Sequence, residues 1–138
     1  MEIVNDTIFN KIAIIERCLN RIRGNYQGVI YRDDYDQQDI IVLNLQRACQ
    51  ASIDLAMHIC MRDGLGIPQN SGDAFDLLAK VEKISPETAI HLQRMTGFRN
   101  IAVHAYQALQ MDILENILND HLVDFELFVQ QILKTSLK

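Results

Sequence analysis

Tryptophan is absent from this 138-residue chain, proline occurs twice and glycine six times. So few chain breakers leave long uninterrupted stretches, which favours helices and argues against a low-complexity or collagen-like chain. Cysteine is scarce and odd in number, at Cys18, Cys49 and Cys60. These residues lie inside apolar runs and lack metal-ligand spacing. They read as reduced core residues in a reducing compartment, not as a disulfide framework or a zinc site. No apolar run reaches the roughly 20 residues that a membrane-spanning helix needs. The opening Met-Glu-Ile-Val-Asn-Asp carries no basic stretch of the kind that begins a secretory signal. A cytoplasmic protein with no membrane partner is expected.

Lysine and arginine are missing from Ala102 to Leu133, where Asp112, Glu115, Asp120, Asp124 and Glu126 all fall. The net charge of −5 therefore does not advertise nucleic-acid binding. Its distribution is less one-sided. Lys11, Arg17, Arg21, Arg23 and Arg32 crowd the first quarter, and Arg94 and Arg99 lie further on. Charge alone leaves two readings open, a local basic groove on an acidic protein or ordinary solvated helix faces. Apolar residues make up 49% and charged residues 22%, an ordinary balance for a folded protein. The length suits one domain over residues 1–138.

The apolar spacing is helical throughout, with no strand alternation and no internal repeat. Ile8, Ile12, Ile15, Leu19 and Ile22 follow three/four spacing behind a cap at Asn5 or Asp6. A long helix is predicted from near Asp34 to near Asp63, ending at Gly64-Leu-Gly66-Ile-Pro68. Its middle is apolar around most of the circumference, as befits the central helix of a bundle. At about 1.5 Å per residue it would span roughly 45 Å, with length to spare for a dimer interface. A shorter helix is predicted from near Ser71 to near Lys83. Ser85-Pro86-Glu87 then opens a fourth, as cap, first-turn proline and first-turn acid. Gly97 marks a weak point or bend in it. A last helix is predicted from near Met111 to near Leu133. The fold class is thus all-α, an antiparallel bundle of about five helices.

Arg99, Asn100, His104 and Tyr106 form the densest cluster of functional side-chain types in the chain. At about 100° per residue, Asn100 and His104 stack on one helix face, and Arg99 and Tyr106 lie within about 20° of each other. Arg99 and His104 are about 140° apart, so a bend, a reach by Arg99 or a second subunit must bring them together. A two-fold dimer across this helix could place two copies of the pair around one phosphate. Arginine and histidine without acidic metal ligands suit metal-independent RNA cleavage. Imidazole can take the proton from a ribose 2′-OH or return one to the leaving 5′-oxygen. Guanidinium can grip the phosphate and stabilise its growing charge. DNA lacks the 2′-OH and would be spared. The alternative from spacing alone is structural, with Arg99 paired to a carboxylate and His104 in a polar contact.

The segment Met95-Thr-Gly-Phe-Arg-Asn-Ile-Ala-Val-His-Ala-Tyr-Gln107 closely resembles the signature of the HEPN superfamily, specifically its HepT branch. Leu43 to His58 resembles that family's long central helix, and the likeness extends from about Asp6 to about Ile132. The resemblance implies a helical-bundle homodimer acting as a ribonuclease toxin, with tRNA or mRNA as plausible substrates. Arg99 and His104 would be its catalytic pair, with Asn100 in support and no cofactor or metal. It also implies a partner, a minimal nucleotidyltransferase antitoxin of the MntA type, that transfers AMP from ATP onto Tyr106. A bulky charged adenylyl group there would compete with RNA phosphate for Arg99. Two rival readings stand beside this one. They are a non-catalytic module that binds a nucleotide or the partner, and a purely structural dimerising bundle.

Other residues carry weaker signals. Asp54 and His58, four apart on the central helix, either stand behind the site to orient His104 or contact RNA, or make a local contact with each other. The second reading is preferred. Tyr31 and Tyr35 among Asp33, Asp34, Asp36 and Asp39 read as a capped helix start rather than a binding loop. His91 and His121 have no partners at metal-ligand spacing, so no metal is assigned.

Overall fold

The computed structural model describes the backbone of residues 3–102 and 108–137, and the side chains of residues 5–97 and 111–137. Six helices occupy it in order: α1 (Ile3–Gly24), α2 (Tyr35–Arg62), α3 (Ser71–Lys80), α4 (Pro86–Ala102), α5 (Ala108–Asp120) and α6 (Leu122–Thr135). No strand occurs among the described residues. The all-α expectation holds, with six helices where the spacing suggested about five. The first helix also begins at Ile3, ahead of the expected caps, which leaves Asp6 as a first-turn acid facing the positive end of the helix dipole.

The ends of α2 and α4 fall where local chemistry puts them. Asp34 caps α2 by accepting from the Gln37 backbone N–H at 2.9 Å. Gln37 and Gln38, both buried, then tie down the preceding loop: their amides donate to the carbonyls of Asn25, Val29, Tyr31 and Arg32. The tyrosine-rich stretch is therefore a capped helix start. Ser85 caps α4 through its Oγ, which accepts from the Thr88 N–H at 3.1 Å, and Pro86 takes the first helical position.

Helices α2 and α3 close with the same hydrogen-bond pattern. At the end of α2, Leu65 N–H donates to Cys60 O and Gly64 N–H to Met61 O, with Gly64 at φ 61°. At the end of α3, Lys83 N–H donates to Leu78 O and Glu82 N–H to Ala79 O, with Glu82 at φ 62°. This double bond is the Schellman closure, and it requires a left-handed residue. The second copy, built on a glutamate, is why α3 stops at Lys80 rather than near Lys83.

Helix α2 is the hub. It packs against α1, α3 and α4, and the α1–α2 pairing is the most extensive in the molecule. Its buried residues spread over about 200° of its circumference, from Ala51 through Leu45 to Ile53. Contacts fix the directions. Asn25 meets Gln37 while Lys11 meets Asp54, so α1 and α2 run antiparallel. Thr88 meets Gln131 while His91 meets Asp124, so α4 and α6 do too. Phe75 of α3 and Phe128 of α6 meet edge to face at 5.6 Å in the core.

The predicted last helix is two helices. The chain breaks at His121, whose N–H still donates to Ile117 O, while Asp124 N–H closes a tighter turn onto His121 O at 3.1 Å. This turn seats Asp124 in the first turn of α6, directly beneath His121. No glycine or proline marks the place.

Candidate functional site

Helix α4 runs without interruption through Gly97 to Ala102, so the expected bend is not seen as a break in the helix. Arg99 and Asn100 occupy its final stretch, one turn beyond Met95. His104 and Tyr106 lie outside the described residues, as do the side chains of Arg99 and Asn100. The surroundings of the motif are described. Met95 and Gly97 of α4 form one wall of a cavity of about 430 Å³, together with His91 and Arg94 on the same helix. Ile113, Asn116 and Ile117 of α5 form a second wall, and His121 and Asp124 at the α5–α6 turn are the remaining lining among the described residues. Ligand sites are commonly of this size and mixture, an apolar lining with a few convergent polar groups.

The polar groups are organised around Asp124. Its side chain is only 5% exposed, and each oxygen faces a different imidazole. His121 Nδ1 lies 3.0 Å from Oδ2, and His91 Nδ1 lies 3.2 Å from Oδ1. The two rings stand 6.1 Å apart at 65°. A buried carboxylate is costly unless compensated; two imidazoles and the amino-terminal end of α6 supply the compensation here. A carboxylate accepts and does not donate, so the proton of each ring is drawn to Nδ1 and each Nε2 is left for another partner. Sequence reasoning considered His91 and His121 only as metal ligands. It missed that Asp124, three residues after His121 and 33 after His91, would join them. The His121–Asp124 spacing was the one visible signal.

Asp54 and His58 are not brought together. Asp54 accepts from Lys11 Nζ at 3.3 Å and from Gln50 Nε2 at 2.9 Å. His58 Nε2 is buried with no hydrogen-bond partner among the described residues. The expected contact between them is thus replaced by a tie between α1 and α2, because Lys11 presents the stronger partner. Burial holds His58 below its ordinary pKa, the Arg62 charge adds to this, and Asp63 opposes it. Arg62 itself grips Asp63 through Nε and Nη2, and Lys83 joins at 3.1 Å, fastening the end of α2 to the segment before α4.

Of the five basic residues in the first quarter, Lys11 pairs with Asp54 and Arg23 with Glu126. Arg17 and Arg21 form no ion pair among the described residues, and Arg47 of α2 joins them around Cys18. All three cysteines are buried, and none of them is in a disulfide. Burial raises the pKa of Cys18 and Cys60 despite the arginines near the former, so neither is a poised nucleophile. No group of three His, Cys, Asp or Glu side chains suited to a metal occurs among the described residues. No helix among them is long and apolar enough to cross a membrane.

A family model described as Ribonuclease HepT-like matches residues 2–132. The chain belongs to the HepT-like family. It is 48% identical over 130 residues to the mRNA nuclease HepT of Shewanella oneidensis, covering 94% of this chain and 98% of that protein. It is 30% identical over 127 residues to the tRNA nuclease HepT of Aphanizomenon flos-aquae, covering 91% and 86% respectively. Among solved structures it matches the tri-AMPylated HEPN toxin of Shewanella oneidensis in complex with MNT antitoxin. There the TM-score is 0.88 and the identity 47%, over 94% of this chain and 98% of that one. Membership in the HepT-like family makes this chain an endoribonuclease of the HEPN toxin class.

Proposed function

We propose that this HepT-like chain cleaves RNA without a metal ion, with Arg99 and His104 as the catalytic pair and Asn100 in support. The observation that carries the reading is the intact Arg-Asn-Ile-Ala-Val-His-Ala-Tyr segment in a chain that matches a messenger-RNA nuclease along nearly its whole length. His104 takes the proton from the ribose 2′-OH, and that oxygen attacks the adjacent phosphorus. The bond from phosphorus to the 5′-oxygen breaks, a proton is delivered to that leaving oxygen, and a 2′,3′-cyclic phosphate remains. Arg99 neutralises the charge that grows on the non-bridging oxygens. The working site is assigned to a homodimer in which two copies of the segment from Arg99 to Tyr106 meet around one phosphate. The substrate is RNA, with messenger and transfer RNA the two classes that the relatives' names supply.

The same reading gives the off-switch. A nucleotidyltransferase antitoxin of the MNT kind transfers AMP from ATP to the Tyr106 oxygen, with pyrophosphate leaving; the AMPylated state of the related toxin supports this. An adenylyl phosphate on Tyr106 competes for Arg99 with the phosphate of RNA. The test is growth and RNA integrity in cells producing the chain alone, against Arg99→Ala, His104→Ala and Tyr106→Phe. Growth arrest relieved by the first two variants, with Tyr106→Phe toxic and no longer silenced by the antitoxin, is expected. Arrest that survives His104→Ala would transfer the function to a non-catalytic binding module.

A further inference from the structure

We propose that the cavity between α4, α5 and α6 is a nucleotide pocket that seats the RNA residue next to the cleaved bond. The placement carries the argument. The cavity is lined by Met95 and Gly97, and position 99 follows Met95 by one turn, about 6 Å along the same helix. The backbone at position 99 therefore lies next to this wall of the cavity, and the reading of Arg99 as the phosphate ligand puts the neighbouring nucleotide there. The lining is built for a base. Ile113 and Ile117 offer apolar surface to a flat ring, and Asn116 offers an amide that both donates and accepts.

Asp124 supplies the specificity. By taking both Nδ1 edges it fixes two imidazoles in place and leaves their Nε2 edges for a ligand. Hydrogen-bonding to the edge of an unstacked base, with apolar packing on its face, is how proteins read single-stranded RNA. The carboxylate itself would repel a phosphate, but it is buried against the two rings; Arg94, an exposed residue of the lining, is placed for the seated residue's other phosphate, the one not held at Arg99.

The pocket's role in RNA binding rests on the reading of Arg99 and His104 as the cleavage site, whereas its nucleotide chemistry does not. Two sources present that chemistry, an RNA residue and the adenylyl group carried on Tyr106, and the experiment separates them. Binding of a fluorescein-labelled octaribonucleotide is measured by anisotropy on His104→Ala protein, which leaves the probe uncut. His91→Gln/His121→Gln and Ile113→Trp are added to that background; the last fills the cavity from an already exposed position and leaves the polar trio untouched. Each is checked for native helicity. Loss of two polar contacts corresponds to about a tenfold weaker Kd, and a similar loss is expected from Ile113→Trp.

In a second arm, the His91 and His121 ring resonances are compared before and after adenylylation by the antitoxin. Ring shifts there, with unchanged octamer binding, would overturn the RNA residue as occupant and assign the pocket to the adenylyl group. Unchanged binding in every variant together with unshifted rings would overturn the pocket altogether. Cleavage by wild type is assayed in parallel. An inactive wild type whose octamer binding still falls with the pocket variants would fail the catalytic reading alone.

Discussion

Replacing Asp124 with Asn tests the organisation of the candidate site at the level of single protons. In the wild type both imidazoles turn Nδ1 toward a carboxylate that is 5% exposed, and both must present a hydrogen there. An asparagine keeps the size and one acceptor but turns the other oxygen into a donor. One ring, His91 or His121, must then move its proton to Nε2 or lose its contact. The energetic cost follows from the contacts. Loss of a first-turn acid in α6 costs about 0.5 kcal/mol. One contact of the Asp–His pair costs about 1 kcal/mol, and less for these rings because each is partly open to water. The total is about 1 kcal/mol for Asp124→Asn. For Asp124→Ala, where both contacts go, it is about 2 kcal/mol. Urea denaturation gives the energies, and long-range proton–nitrogen correlation spectra of the histidine rings give the tautomers. A wild type with both rings protonated only at Nε2, or an Asp124→Asn protein with both rings unchanged, would refute the arrangement.

The two left-handed helix ends make a reciprocal pair. Gly64→Ala should cost about 0.5–1 kcal/mol, since a Cβ meets nothing within 4 Å and only the backbone objects. Glu82→Gly should gain about as much, both read from urea midpoints. Phe128→Ala, which removes the edge-to-face partner of Phe75 from a site with no exposure, should cost about 3–5 kcal/mol in the same assay. His58 governs part of the pH response. Its folded-state pKa is depressed, so below about pH 6.5 the unfolded chain takes up a proton that the folded chain refuses. The stability is fully present above that pH and is lost as pH falls toward the folded-state pKa. His58→Leu should flatten the fall in Tm between pH 7 and pH 5, and an unaltered slope would show that His58 is not its source.

What could be read before folding was what local chemistry dictates. Asp34 and the Ser85-Pro86 pair announce the starts of α2 and α4 because a cap is a short-range bond within three residues. The apolar girdle of α2 shows its central position because no exposed helix can tolerate such a pattern. The break at His121 was invisible for the opposite reason. Leu114, Ile117, Leu118, Phe125 and Phe128 continue one helical stripe across it, and all are buried. The interruption takes its reason from Asp124 and from His91, a residue two helices away. Asp54 illustrates the same limit: its spacing to His58 suggested a local contact, yet Lys11 from another helix supplies the partner. The motif at Arg99 was legible as a set of residue types in order, while the cavity beside it exists only once α4, α5 and α6 are assembled.

The most direct test of the central claim removes one oxygen atom from the substrate. A cleavage site is first mapped on a short RNA with wild-type protein in EDTA, and the ribose 5′ to the cut bond is then replaced by 2′-deoxyribose. The account predicts that the parent RNA is cut to a cyclic-phosphate end and that the substituted RNA is not cut at that bond. Continued cutting of the same bond in the substituted RNA would contradict it, because no internal nucleophile would remain there to be activated by His104.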